Sequence, residues 1–152
     1  MDKAQASAHI ERELMILTRH REMTTPRAGT TDALDRSAYL LLSRLETEGP
    51  MSVGDFVEAF GLAASTFTRQ TGALLRNGYA ERIPDPAGGM ARKYRITALG
   101  LERVTAQRAE LTASLAHILQ DWPTTRLAGF VADLERFNTD IESLTGRPWP
   151  RL

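Results

Sequence analysis

The chain has 152 residues, with 19 lysines and arginines against 19 aspartates and glutamates, so its formal net charge is zero. That length suits one domain, or one core with a dimerisation element, and the lack of cysteine excludes disulfides, thiolate metal sites and thiol redox sensing. No apolar run of a signal-peptide type opens the sequence and none approaches the ~18 residues of a membrane span, so a cytoplasmic protein without a membrane partner is expected.

A first helix is predicted from about Ala4 to Glu22, because Ile10, Leu14 and Leu17 share one stripe that Met15 and Ile16 widen. The stretch from Thr24 to Thr31 is turn-rich and reads as a linker. A second helix is predicted from about Asp32 to Glu48, with Leu34, Ala38, Leu41, Leu42 and Leu45 apolar and Gly49-Pro50 as its stop. A short amphipathic helix then runs from Met51 to Gly61, where Ser52 and Asp55 resemble a capping box. After a tight turn comes another helix, from Ser65 to Asn77-Gly78. A strand, a Pro/Gly turn and a second strand closing at Ile96-Thr97 follow. Thr97 caps a long helix to about Gln120, which breaks at Trp122-Pro123. The last helix, from about Thr124 to Leu144, carries Leu127, Phe130, Val131, Leu134, Phe137, Ile141 and Leu144 as an apolar stripe and ends at Gly146, Pro148 and Pro150.

Helix, turn, helix and β-hairpin in that order is the layout of a winged helix-turn-helix, whose second helix enters the major groove of DNA. The expected fold is therefore mainly α. A winged helix-turn-helix lobe with a two-stranded hairpin wing occupies residues 32–97, and residues 1–31 and 98–152 supply a helical dimerisation region. The apolar stripes of those outer helices need cover, either in a larger monomeric core or, as preferred here, in a two-fold dimer that matches paired half-sites.

Charge is distributed unevenly. Between Leu62 and Thr97, six basic residues (Arg69, Arg76, Arg82, Arg92, Lys93 and Arg95) face two acidic ones (Glu81 and Asp85), a local excess of +4. Such a patch attracts phosphates even on a neutral chain, since salt screens beyond ~10 Å. At about 100° per residue, Phe67, Thr71 and Leu74 fall on the inner side of the second helix of the pair. Ser65, Arg69, Gly72 and Arg76 lie opposite, flanked by Thr66, Thr68 and Ala73. That outer face lacks the Glu and Lys of an ordinary solvated helix. Its arginines suit guanine O6/N7, its hydroxyls suit phosphates or base edges, and its small residues permit close approach.

The segments Asp55 to Leu62, Ser65 to Gln70, Leu74 to Arg82, and Asp85-Pro86 up to Ile96-Thr97-Ala98-Leu99-Gly100 together resemble the MarR-type (multiple antibiotic resistance regulator) family, most closely over residues 51–100. The resemblance implies a homodimer on double-stranded DNA with a pseudo-palindromic operator, and repression relieved by a small-molecule effector. It assigns Ser65, Thr66, Thr68, Arg69 and Gln70 to the recognition helix. Arg76, Arg92 and Lys93 complete the expected DNA-binding set. One departure concerns the wing. Where the family carries Asp-x-Arg at the hairpin tip, this chain has Gly88 and Met90, with Arg92 and Lys93 just beyond on the returning strand. Phosphate contacts are expected to persist there and minor-groove discrimination to weaken.

Other chemistry finds little support. His9, His20 and His117 have no metal-ligand spacing. No nucleophile elbow or other catalytic signature appears, so neither an enzyme nor a cofactor is expected. Gly88-Gly89 belongs to a turn, and Trp122 and Trp149 read as packing anchors. An effector pocket is expected where the terminal helices meet the winged-helix lobe. Two rival readings stay open: a winged-helix protein-interaction module with weak or no specific DNA binding, and a small enzyme with an incidental winged helix.

Overall fold

A computed structural model describes residues 1–20 and 33–151; the expected linker, the outer end of the first helix and Asp32 lie outside the described residues. The elements are α1 (Lys3–Arg19), α2 (Arg36–Glu48), α3 (Val53–Phe60), α4 (Ala64–Arg76), β1 (Ala80–Ile83), β2 (Lys93–Ile96), α5 (Ala98–Ile118) and α6 (Thr124–Thr145). The mainly α winged helix-turn-helix with its two-stranded hairpin is thus present as expected.

Side chains that satisfy the first backbone N–H groups set where each helix starts. Asp2 and Gln5 form a capping box on α1 with bonds of 2.8 and 3.0 Å, a pattern the sequence reading passed over. Asp35 accepts from the Ala38 N–H at 2.8 Å, so α2 opens at Arg36 and Leu34 precedes it. Ser52 and Asp55 close a capping box on α3 through bonds of 3.1 and 2.8 Å, aspartate serving where glutamate or glutamine is usual. Ser52 therefore has extended backbone, and Met51 stands outside α3. It pairs with Tyr94 instead, through bonds of 3.0 and 2.7 Å, as a one-residue third strand beside the hairpin. β1 and β2 are antiparallel, with Ala80 opposite Ile96 and Arg82 opposite Tyr94.

The core sits inside the lobe. α2 contributes Leu41, Leu42 and Leu45, α3 contributes Phe56, α4 contributes Phe67 and Leu74, the hairpin Ala80 and Tyr94, and α5 Val104. Gln107, buried on α5, accepts from the Leu34 N–H at 2.9 Å and donates to the Leu34 carbonyl at 3.3 Å. One amide thereby satisfies both backbone groups of a residue 73 positions away. In contrast, α1 and α6 bury no side chain within the protomer.

α5 leaves the lobe in close contact with it. Thr97 caps α5 by accepting from the Gly100 N–H at 3.1 Å, and its hydroxyl donates to the Gly78 carbonyl at 2.6 Å. A Cβ on Gly100 would overlap the Tyr79 carbonyl oxygen. Gly100→Ala should therefore destabilise the fold by ~1–3 kcal/mol through forced backbone movement. Gly54, inside α3, has only the Ser52 Oγ nearby, at 3.6 Å from an added Cβ, and Gly54→Ala should stabilise by ~0.5–1 kcal/mol. Denaturant unfolding of both variants checks the pair; a Gly100→Ala protein as stable as the parent would remove close approach as the reason for glycine.

Candidate nucleic-acid interface

α3 and α4 form an elbow around three phenylalanine rings. Gly61 ends α3 in the left-handed region at φ 72°, which glycine adopts without the Cβ penalty. Phe67 on α4 stacks on Phe56 at 5.7 Å between centroids and meets Phe60 at 5.6 Å. Phe67, Thr71 and Leu74 are buried, and the Thr71 hydroxyl donates to the Phe67 carbonyl at 2.7 Å, so the polar atom of this inner face is satisfied.

With that side held inward, the helical period turns Ser65, Thr68, Arg69 and Arg76 to the outside, where all four are exposed; Thr66 and Gln70 are half-buried at the flanks. The Thr68 hydroxyl donates to the Ala64 carbonyl at 3.0 Å, leaving its lone pairs as acceptors. Ala63 caps α4 without a side-chain hydrogen bond. The first-turn N–H groups, at the positive end of the helix dipole, are thus suited to an anion. Gly72 leaves room for the Arg76 guanidinium, whose Nη1 lies 3.3 Å from where a Cβ would stand.

The basic residues divide into two groups. Arg95 pairs with Glu81 across the hairpin at 2.6 Å. Lys93 sits between Asp55 of α3 at 3.4 Å and Asp85 of the wing at 3.8 Å. Arg82 lies over the Tyr94 ring at 5.6 Å and donates to its hydroxyl at 3.2 Å. Among the described residues, no carboxylate pairs with Arg69, Arg76 or Arg92. Glu81 and Asp85 being engaged, the local excess of charge resides on Arg69, Arg76, Arg82 and Arg92.

The wing separates two neighbours that the sequence reading treated alike. Arg92 is exposed in the loop just before β2, so it belongs to the wing loop and not to the returning strand. Lys93 opens β2 and ties the root of the wing to the start of α3. Asp85 organises the turn by accepting from the Ala87 N–H at 2.9 Å, Gly88 adopts φ 82°, and Met90 is fully exposed at the tip. Burial raises the Asp55 carboxyl, but its hydrogen bonds from Ser52 and the nearby Lys93 ammonium outweigh that and hold it below the usual carboxylate range. From sequence, Arg82 is legible only as part of the local charge and Asp55 only as part of the capping box; the contacts with Tyr94 and Lys93 are new. The alternation from buried Ala80 puts Arg82 on the Tyr94 face and was a usable signal; no local pattern announces the Asp55–Lys93 pair.

Comparison with known proteins gives a consistent picture. The MarR family model matches residues 34–87. The uncharacterized HTH-type transcriptional regulator YxaD of Bacillus subtilis is 33% identical over 129 residues, covering 85% of this chain and 90% of its own. Among solved structures, a MarR family protein from Bacillus stearothermophilus superposes with a TM-score of 0.75 at 20% identity, over 93% of this chain and 99% of its own. The transcriptional regulator BldR from Sulfolobus solfataricus does so with a TM-score of 0.67 at 20% identity, over 90% and 99%. These structural likenesses support the fold.

The tie between wing and α3 has a titration consequence. Lys93→Met should raise the Asp55 carboxyl towards its ordinary value, because a favourable positive charge is lost. In the parent the folded-state value lies below the unfolded one. The Asp55 contribution to stability is therefore complete above the ordinary carboxylate range and is lost as pH falls through the depressed value. Carbon-13 NMR titration of Asp55 in both proteins tests this, and superimposable curves would remove Lys93 as a cause.

Proposed function

The chain belongs to the MarR family of transcriptional regulators, and we propose that it is a homodimeric repressor reading a pseudo-palindromic operator with two copies of α4. The observation that carries this reading is the outward face of α4, where Arg69 and Arg76 stand among hydroxyls and small residues while Phe67, Thr71 and Leu74 lock the opposite side into the core. In this reading Arg69 forks onto guanine O6/N7, and Ser65, Thr66, Thr68 and Gln70 approach base edges or phosphates. Arg76 and Arg92 contact phosphates. Lys93 contributes chiefly by holding the wing, since Asp55 and Asp85 offset its charge.

The dimer follows from apolar surface. Phe130, Leu134, Phe137 and Ile141 of α6 remain 40–43% exposed in the protomer, and Ile10 and Leu17 of α1 remain 52% and 53% exposed. Stripes of this kind call for a second copy, and a two-fold axis sets two reading helices about one DNA turn apart, ~34 Å. A cleft of about 470 Å³ between residues 146–148 and the lobe, lined by Arg44, Glu48, Asp55 and Arg147, supports an effector site where the outer helices meet the lobe. A ligand acts there by favouring a dimer with the wrong helix separation, and it lowers operator affinity by its differential affinity for the two arrangements.

Selection of duplexes from a random library tests the whole reading. The parent should enrich a pseudo-palindrome; enrichment of no sequence, together with salt-insensitive binding, would return the chain to a protein-interaction module. Arg69→Ala should lower affinity for the selected duplex by ~1–3 kcal/mol, and much less for random duplex. Equal losses on both would recast Arg69 as a phosphate contact.

The wing is tested separately through salt. Arg92→Ala should flatten the slope of log affinity against log salt by ~0.9, the value for one phosphate neutralised. Lys93→Ala should flatten it less. An equal or larger effect of Lys93→Ala would show that its pairing with Asp55 and Asp85 gives way on DNA.

A further inference from the structure

The segment after α6 takes no part in the surface described above, yet it is fastened to the elbow that carries it. Gly146 turns the chain at φ 68°, and residues 147–151 fold back onto α2 and α3. Trp149 meets Phe60 edge-on, at 5.6 Å and 80°. The Arg44 guanidinium also lies 4.9 Å from the Trp149 ring centroid and donates to the Pro148 carbonyl at 3.2 Å. Arg44 is a charged residue only 6% exposed, balanced by Glu48 through bonds of 2.6 and 3.1 Å. Arg151 returns to Glu142 of α6 with bonds of 2.8 and 2.7 Å. The segment is therefore a strap, held to α6 at both ends and to the lobe through Pro148 and Trp149 between them, and Pro148 and Pro150 restrict its backbone.

Phe60 connects the strap to the reading helix, because it is also in contact with Phe67 of α4 at 5.6 Å. The rings Trp149, Phe60 and Phe67 form a continuous path from the end of α6 to the inner face of α4. The covalent route from lobe to α6 runs along α5 and around Trp122-Pro123. The strap closes this route into a ring, and a closed ring fixes an angle that one connecting helix leaves soft.

Resting on the dimeric DNA-reading function proposed above, we propose that Trp149 is a positioning residue for operator choice: the strap sets the angle between α6 and the α3–α4 elbow, and so the separation of the two reading helices. A purely structural role for Trp149 would weaken all duplexes alike. A positioning role instead changes which spacing of half-sites is accepted, since one inserted base pair shifts a half-site by ~3.4 Å and rotates it by ~35°.

The experiment uses the full chain and the duplex that the parent selects from a random library, together with versions carrying one base pair added or removed between the half-sites. The parent should lose about tenfold or more in affinity on either change, comparable to losing one good base contact. Trp149→Ala should sediment as the same dimer and select the same half-site sequence, but lose only about twofold on the altered spacings, well short of one such contact. Trp149→Phe, which keeps an aromatic ring against Phe60 and Arg44, should restore discrimination. Trp149→Leu keeps apolar cover on Phe60 without the ring face; it should relax spacing in part, and it provides the measurement should the alanine variant fold poorly. A parental spacing profile in the alanine or leucine variant, or a uniform loss on every duplex, overturns the role of the strap and leaves DNA reading intact. A parent that is monomeric or selects no duplex overturns the dimeric reading itself.

Discussion

The packing of Phe67 against Phe56 and Phe60 is the contact on which the rest of the molecule turns. It fixes the rotation of α4 about its own axis, and that rotation alone decides which residues meet solvent. Burying such a ring contributes ~1.5–3 kcal/mol, and aromatic pairing adds ~0.5–1.5 kcal/mol. A rotation of α4 by one residue would exchange Phe67 for Thr68 on the inner side and move Arg69 off the centre of the outer one. The left-handed turn at Gly61 and the uncapped start of α4 take their positions from this cluster, and so does the point where the strap lands.

Electrostatics follows a division of labour that net charge conceals. Two of the six basic residues between Leu62 and Thr97 hold the hairpin together, Arg95 across the strands and Lys93 between wing and α3. Arg82 is engaged with a tyrosine. Arg69, Arg76 and Arg92 have no carboxylate partner among the described residues. Formal neutrality of the chain thus coexists with exposed unpaired arginines, because Asp55, Glu81 and Asp85 are committed to internal pairs, with Asp55 held below the usual carboxylate range by its cap and its lysine.

Local rules made much of this legible. Helical periodicity separates the inner and outer faces of α4, Ser52 and Thr97 mark helix starts by their hydroxyls, and Gly61 marks a helix end by its lack of a side chain. The errors arose where two local signals competed or where a distant contact decided the outcome. Apolar spacing starts the second helix at about Asp32, whereas the Asp35 side chain caps α2 and sets its first residue at Arg36. Met51 reads as the first residue of a helix, yet the extended backbone that Ser52 needs as a cap releases it to pair with Tyr94. Arg92 and Lys93 are adjacent, so no periodicity distinguishes a loop cation from one drawn inward by Asp55 and Asp85. Residues 146–151 read as a stop because proline and glycine end helices; their return to Arg44 and Phe60 depends on tertiary geometry that no window of sequence contains. Trp149 was legible as a packing anchor, but not the place where it anchors.

The amide of Gln107 has a mechanical consequence. Because it grips the backbone of Leu34 on both sides, and because Val104 and Gly100 are packed into the lobe one and two turns earlier, the inner half of α5 is a rigid extension of the lobe. Beyond the ion pair of Arg108 with Glu46 of α2, the outer half, from Ala109 to Ile118, spans ~14 Å at the rise of an α-helix and buries no side chain within the protomer. Along the covalent route from lobe to α6, flexure is therefore confined to this outer half and the turn at Trp122-Pro123, and the contacts of Trp149 with Phe60 and Arg44 restrain it. A small bend there turns the lobe, and α4 with it, as one stiff body.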